Sequence, residues 1–331
     1  MDVTLFSNES NLTISSHRNN ADEDYSDDAN ITAIKTHTRS LNVPLFVLGS
    51  LFTAVGNGLV ITVIAKIHRL RTAANMTIAN LACCDFALGS TLWTGVLRRD
   101  TMPRCAVFTG FAMTLFQLSL MDIALCTINR YVAIVYPLRY NQLMNPARTG
   151  VLITLSTTYA IVIGIAAAIQ VSYRWEPPSI CIVDLELSPG FAYVFSSHYI
   201  ILFIFMTYCY VVIARIVWDH TRRMAAASDE ERENMSAFHA TLKMSKILLT
   251  VGGTSFTLLT PHVLHFILIH SFPFRLRTLR FIRLNAIVLN SLMNPIIYFY
   301  KYKDFRLAVR ELFGCATSTV NPSQPNVEQD P

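Results

Sequence analysis

The sequence predicts an all-α integral membrane protein, a bundle of seven transmembrane helices. Three observations predict it. Seven long, charge-poor apolar stretches run through the 331 residues. Only 15% of the residues are charged and 52% are hydrophobic, whereas a soluble protein usually carries about 25% charge. The few polar residues inside the stretches recur at similar depth, and the last stretch ends Asn294-Pro295-Ile296-Ile297-Tyr298.

Crossing the hydrocarbon layer takes about 20 residues of helix, and charge is costly there. The first span, Val43–Ala65, carries Asn57 in Gly56-Asn57-Gly58 at its middle. The second, Thr72–Leu97, carries Asp85 at its middle. The third, Cys105–Asn129, carries Ser119 at mid-depth and Asp122 lower down. The fourth is Thr149–Tyr173 and the fifth Phe191–Ala214. The sixth, Ile247–Phe274, contains Pro261. The seventh, Leu284–Tyr300, is short, so its helix is expected to begin earlier, near Thr278. The domain organisation is an extracellular tail over 1–40, a membrane domain over 41–300, an amphipathic segment over 301–314 and a cytoplasmic tail over 315–331. Both tails are expected to be disordered. No secretory signal peptide opens the chain, so the first span is expected to act as the targeting signal.

Positive charge collects on the cytoplasmic side of a membrane protein. Lys66, Arg69 and Arg71 follow span one; Arg130, Arg139 and Arg148 surround the loop after span three; Arg215, Arg222, Arg223, Lys243 and Lys246 frame the loop after span five; Lys301, Lys303, Arg306 and Arg310 follow span seven. All four segments share one face. The other face also holds Arg98, Arg99, Arg104 and Arg275, Arg277, Arg280, Arg283. The balance places the N-terminus outside and the C-terminus in the cytoplasm. Sequons at Asn8, Asn11 and Asn30 agree with a glycosylated extracellular tail. Cys105 and Cys181 fall on the outer face, where disulfides persist. The formal net charge of +5 is spread over loops rather than gathered on one face, so nucleic acid is not an expected partner.

An ionisable group at membrane depth is a functional signal. Asp85, Asn57, Ser119, Asn290, Ser291 and Asn294 share a depth and are expected to form one polar cluster. No Lys or Arg shares that depth, so a sodium ion or a proton is the expected partner of Asp85; the alternative is a protonated Asp85 in a structural network. Pro261 and Pro295 each remove a backbone donor and kink their helices. Such kinks are either static or part of a two-state switch. Arg130 lies 25 residues after Cys105, which at 1.5 Å per residue is about 37 Å, enough to bring it to the cytoplasmic surface.

In order and at depth, these motifs resemble the rhodopsin-like (class A) family of G-protein-coupled receptors: Gly-Asn in span one, Leu-Ala-x-x-Asp in span two, Cys105 and Asn129-Arg130-Tyr131 bounding span three, and Asn-Pro-Ile-Ile-Tyr in span seven. The resemblance covers about residues 40–315. Lys303-Asp304-Phe305-Arg306 opens an amphipathic stretch to Phe313, similar to the family's eighth, membrane-surface helix, and Cys315 stands at the usual palmitoylation position. The resemblance implies a plasma-membrane receptor and not an enzyme. It implies a Cys105–Cys181 disulfide. Asp85, Ser119, Asn290, Ser291 and Asn294 would hold an allosteric sodium ion, with no other cofactor. Arg130 would meet the heterotrimeric G protein, and arrestin and membrane lipids are further implied partners. Tyr298, with Tyr210 or Tyr208, would swing inward to support the active state.

Departures from the family are informative. Asn129 stands where an acid usually precedes the arginine, and Thr241 lies near the place of the acidic partner on span six. The inactive-state lock on Arg130 is therefore weakened and raised basal signalling is expected. Leu259 stands two residues before Pro261, where tryptophan is usual. Ala112 stands where amine receptors carry aspartate, and no lysine lies between Thr278 and Tyr300 for retinal; neither a biogenic amine nor light is the expected signal. Arg277, Arg280 and Arg283 recur every three residues, roughly on one helix face. They either bind a carboxylate or phosphate ligand or meet lipid phosphates and water. The acidic run Asp22–Asp28 around Tyr25 is either a sulfated recruiter of a basic peptide or a solvated tail. An anionic small molecule, a lipid or a peptide remains as ligand. The run Arg130–Tyr140 is similar to the second loop of odorant receptors, a second reading. A transporter or channel would show repeats or charged residues along a path, and a membrane hydrolase would show metal ligands or a nucleophile with its base; neither pattern is present.

Overall fold

The computed structural model describes residues 47–92, 101–175, 181, 187–226, 236–271 and 277–314; within these, the side chains of 92, 224–226, 236–248, 277, 278, 280 and 281 are not described. The described backbone is helical apart from short turns. Helices α1 (Val47–Lys66), α2 (Ala73–Leu92), α3 (Met102–Val135) and α4 (Pro146–Arg174) come first. Then follow α5 (Pro189–Ala226), α6 (Ser236–Ser271), α7 (Arg277–Lys301) and the short α8 (Lys303–Leu312).

Several helices are longer than their apolar spans. α3 runs on to Val135, α5 to Ala226, and α6 begins at Ser236. Polar residues beyond the hydrocarbon layer weaken the hydropathy signal but not the backbone hydrogen bonds, so the helices continue. α7 begins at Arg277, close to the expected Thr278. By length and composition, α1, α3, α4, α5 and most of α6 can cross a membrane. α2 and α7 are absent from that set among the described residues. They hold Asn75, Asn80, Asp85, Asn290, Ser291 and Asn294, most of which are buried against other helices. Their polarity faces the bundle, not the lipid.

Local chemistry starts the helices where the sequence permits. Asn145 caps α4: its side chain accepts from the Arg148 N–H at 2.8 Å, and Pro146 supplies a first-turn residue that needs no donor. α3 likewise carries proline in its first turn. After α3, a single turn of 3-10 helix (Pro137–Arg139) leads into a four-residue helix, Tyr140–Leu143.

α3 is the central element, packed on α2, α4, α5 and α6, while α7 packs on α6, α2 and α8. The core between them is Leu81, Leu120, Ile123, Met206, Leu259, Phe266 and Tyr298 with their neighbours. Large apolar side chains such as Leu51, Phe52, Val55, Val151, Leu155, Ile165, Ile201 and Ile204 point outward. In water such a surface would drive association; in a bilayer the surrounding tails are equally apolar.

α3 and α4 touch backbone to backbone. A Cβ on Gly164 would stand 2.5 Å from the Gly110 carbonyl oxygen, and one on Gly110 2.8 Å from the Gly164 carbonyl oxygen. Small residues allow such approach between membrane helices. Gly164→Ala is expected to lower stability by about 1–3 kcal/mol through overpacking. A thermal unfolding midpoint in detergent equal to that of the unaltered protein would show that the helices separate without penalty.

α8 is amphipathic, burying Phe305 and Ala308. Arg306 Nη1 donates to the Tyr300 carbonyl at 2.6 Å and to that of Phe299 at 3.3 Å, capping the end of α7. Arg69 pairs with Glu311 at 3.0 Å, but both are half exposed, so the pair contributes about 0.2–1 kcal/mol.

Candidate functional site

At mid-depth, polar side chains of α1, α2 and α7 meet. Asn294 Nδ2 donates to Asp85 Oδ2 at 2.6 Å. Asn57 Nδ2 donates to the Ser291 carbonyl at 3.1 Å and to the Thr53 carbonyl at 3.0 Å, tying α1 to α7. Ser291 also lies beside the Asp85 carboxylate. Ser119 is set alongside α2, because Cys84 Sγ donates to the Leu115 carbonyl one turn away at 3.2 Å. Asp85, Ser119, Asn290, Ser291 and Asn294 are all buried.

Ser119 Oγ and Asn290 Oδ1 are buried with no hydrogen-bond partner. An unsatisfied buried polar atom typically costs about 1–3 kcal/mol. A carboxylate with the neutral groups of Ser291 and Asn294 beside it suits a hard monovalent cation, which oxygen ligands satisfy and which balances the charge. No group of three or more His, Cys, Asp or Glu suited to a metal ion occurs among the described residues, so the set does not suit a transition metal.

A second buried acid lies deeper. Asp122 in α3 accepts from Asn80 Nδ2 in α2 at 2.7 Å, and its other oxygen is unpartnered. Sequence reasoning found Asp122 but not this partner, since no spacing rule links residues 42 apart on two helices.

At the far end of α3, Arg130 is buried. Its Nη2 donates to Asn129 Oδ1 at 2.8 Å, which also accepts from the Tyr140 hydroxyl at 3.2 Å. A guanidinium thus meets a neutral amide, where a carboxylate would form a stronger, charge-assisted bond. The side chain of Thr241 lies outside the described residues.

The choice between Tyr208 and Tyr210 is made by packing. Tyr210 turns inward, its hydroxyl 3.1 Å from Thr127 Oγ1 on α3. Tyr208 faces outward, 60% exposed, with its ring near that of Tyr131. Tyr298 is buried with its hydroxyl unpartnered. Pro261 and Pro295 sit inside α6 and α7, and Leu259 is buried in the core.

At the opposite end, Cys105 and Cys181 form a disulfide with Cα atoms 5.5 Å apart. Arg283 is buried and Ala112 half buried. The backbones of Arg277 and Arg280 lie on α7, but their side chains fall outside the described residues, as do Asn8, Asn11, Asn30, Tyr25 with its acidic run, and Cys315.

One feature escaped sequence reasoning. An aromatic stack joins α3, α5 and α6 one turn outward from Ser119. The His262 ring lies 4.1 Å from Phe116 and 5.2 Å from Phe266, and Phe195 packs on Phe116 at 5.3 Å. Beside it on α3, Gln117 is fully buried with both amide atoms unpartnered. Phe116 and Gln117 give no signal among the many apolar residues of α3, and no spacing along one helix links them to His262 on α6.

A bundle of apolar helices around a buried acid, with a buried arginine at one mouth and a disulfide at the other, is the build of a seven-helix membrane receptor. The chain belongs to the family described as 7 transmembrane receptor (rhodopsin family), whose profile matches residues 56–298. It is similar to melanocortin receptor 5 of Rattus norvegicus, 25% identical over 326 residues, covering 92% of this chain and 95% of that protein. It is also similar to lysophosphatidic acid receptor 1 of Homo sapiens, 27% identical over 296 residues (85% and 78%). Adenosine receptor A2b of Gallus gallus is 24% identical over 294 residues (80% and 86%). The protein is therefore a multi-pass plasma-membrane receptor of the G-protein-coupled class.

Proposed function

We propose that this receptor carries an extracellular ligand signal to a heterotrimeric G protein by rearranging α5, α6 and α7 around α3. The observation that carries the reading is the pairing of two buried charges at different depths of one bundle: Asp85 held by Asn294 at mid-depth and Arg130 held by Asn129 at the end of α3. Arg130 faces the cytoplasm and meets the G protein, and arrestin at the same mouth; the N-terminus is outside. A sodium ion held by Asp85, Ser119, Asn290, Ser291 and Asn294 stabilises the resting arrangement. On activation Tyr210 leaves Thr127 and the Tyr298 hydroxyl gains a partner. The tail over 1–40 carries glycans at Asn8, Asn11 and Asn30, and Cys315 anchors the end of α8 by palmitoylation.

The ligand enters at the disulfide end, above the Phe116–His262 stack. Buried Arg283 on α7 favours an anionic ligand. One relative is a receptor named for lysophosphatidic acid, which agrees with that chemistry; a peptide is the second reading, from the relative named a melanocortin receptor. The test is guanine-nucleotide exchange on purified heterotrimers of each class by receptor in lipid nanodiscs, with anionic lipids, small carboxylates and peptides added in turn. Exchange accelerated by none of them, and absent without ligand, would sink the reading.

Basal activity follows from the neutral partner of Arg130. Charge-assisted bonds are roughly twice as strong as neutral ones, a gain of about 1 kcal/mol, or about fivefold in a two-state population. Asn129→Asp is therefore expected to lower ligand-free nucleotide exchange about fivefold. Equal or higher exchange by the variant would refute the weakened lock.

A further inference from the structure

On the outer surface of the bundle, α5 and α6 leave a gap lined by residues between Phe203 and Tyr210 and between Gly253 and Pro261. The gap is a groove of about 460 Å³ whose walls include Phe203, Met206, Thr207, Tyr210, Phe256 and Thr257. Its size falls within the range of about 300–1,000 Å³ typical of small-molecule sites. It is distinct from both the Asp85 cluster and the Phe116–His262 stack.

The chemistry of the walls defines the guest. No lining residue is charged. Every hydroxyl on the walls is already engaged. Thr207 Oγ1 donates to the Phe203 carbonyl at 2.7 Å and Thr257 Oγ1 to the Gly253 carbonyl at 2.9 Å. Thr260 Oγ1 donates to the Phe256 carbonyl at 2.7 Å and lies 2.7 Å from the Tyr199 hydroxyl. Tyr210 is turned to Thr127. With no charge and the threonine protons spent on the helices, the walls offer a guest mainly dispersion contacts with aromatic and aliphatic groups.

Two adjacent glycines of α6 shape the groove, Gly253 directly and Gly252 through Tyr210. A Cβ on Gly252 would lie 1.7 Å from the Tyr210 hydroxyl oxygen, so the missing side chain is what seats Tyr210 between the helices. A Cβ on Gly253 would meet nothing within 4 Å and would point into open space. One glycine admits the tyrosine and the next leaves the groove empty of protein. Phe203, Thr207, Gly253 and Thr257 are all exposed, on helices whose outer faces carry exposed Ile200, Ile201 and Ile204 on α5 and Leu264 on α6. The medium against this face of a membrane-spanning pair is bilayer hydrocarbon.

We propose that the groove between α5 and α6 is an intramembrane binding site for one acyl chain of a bilayer phospholipid, which packs against the Tyr210 side chain and holds it on Gly252 and Thr127. The surrounding bilayer supplies that chain at far higher local concentration than any free amphiphile, and the walls offer no handle for a headgroup. Filling the space beside Tyr210 stabilises the arrangement in which α3, α5 and α6 are joined by that residue, and places a lipid chain against the element that must move when Tyr210 changes partner.

The test uses full-length receptor in nanodiscs containing phosphatidylcholine with a diazirine midway along one acyl chain. After photolysis, adducts are mapped by mass spectrometry. They are expected on peptides spanning Phe203–Tyr210 and Gly253–Pro261 at several times the density on the lipid-facing side of α4 around Val151, Leu155 and Ile165. Gly253→Leu places its side chain in the groove and is expected to lower labelling there at least fivefold with α4 labelling unchanged. It is also expected to hold basal nucleotide exchange at or below the unaltered level. Thr257→Leu narrows the groove from the same helix and carries the test if Gly253→Leu fails to fold. Equal labelling of α4 and the groove, or groove labelling unaffected by the folded variant, would overturn the site. Labelling by a trace diazirine fatty acid but not by the phosphatidylcholine probe would overturn the phospholipid and assign a free amphiphile. A several-fold rise in basal exchange in Gly253→Leu would overturn the coupling to Tyr210.

Discussion

Replacing Cys105 with serine is expected to remove most folded receptor from the cell surface. The Cys105–Cys181 bond joins residues 76 apart in sequence, and the chain-entropy account of such a crosslink gives about 4.5 kcal/mol. That is a large fraction of the roughly 5–15 kcal/mol that separates folded from unfolded protein. The bond also holds the segment after α4 against the start of α3, where Cys105, Ala106, Val171 and Cys181 form a small core with Trp175 and Met102 packed on it. Antibody staining of intact cells and a thermal scan of purified protein both read the loss. Because the two cysteines act as one unit, Cys181→Ser should match Cys105→Ser and the double variant should be no worse. A single variant with an unaltered unfolding midpoint would show that packing alone holds the outer end of α3.

The second large effect is expected at Asp85. A cation that binds the folded protein alone stabilises it by RT ln(1 + [L]/Kd), about 2.7 kcal/mol at a hundredfold excess over Kd. Thermal unfolding of the unaltered receptor should therefore shift upward when choline chloride is replaced by sodium chloride at equal ionic strength. Asp85→Asn keeps the size of the side chain but removes its charge, and should abolish the whole sodium-specific shift. Ser119→Ala and Asn290→Ala, which remove unpartnered oxygens without touching the Asp85–Asn294 bond, should reduce it in part. A sodium response undiminished in Asp85→Asn would place the ion elsewhere.

Much of this architecture was legible in the residues, and the gaps have physical causes. Hydropathy located the apolar part of each helix but not the polar turns of α3, α5 and α6, because backbone hydrogen bonding does not depend on the side chain's solvent. The polarity of α2 and α7, which weakens them as membrane spans by composition, is the same polarity that marks the site. Asp85 and Asn294 were readable as members of one cluster from depth alone. Depth did not reveal that they touch across 209 residues of sequence, nor that Asp122 faces Asn80. Tyr210 stood ahead of Tyr208 on the resemblance alone. They lie two residues apart, hence on nearly opposite sides of α5, and the inward one is the one that finds Gly252 across the gap.

Sequence by itself determined that the chain lives in a bilayer as a helical bundle, that its buried acid has no basic partner at its own depth, and that Arg130 stands beside an amide. These are properties of residue type and of position along one helix, and hydrocarbon punishes any other arrangement. Tertiary structure decided which residues touch Asp85, which tyrosine turns inward, how His262 stacks between Phe116 and Phe266, and where α5 and α6 leave a groove. Those depend on the rotation and spacing of helices far apart in the chain, set by close-packed contacts such as Gly110 on Gly164 and Tyr210 on Gly252, which no periodicity along a single helix records.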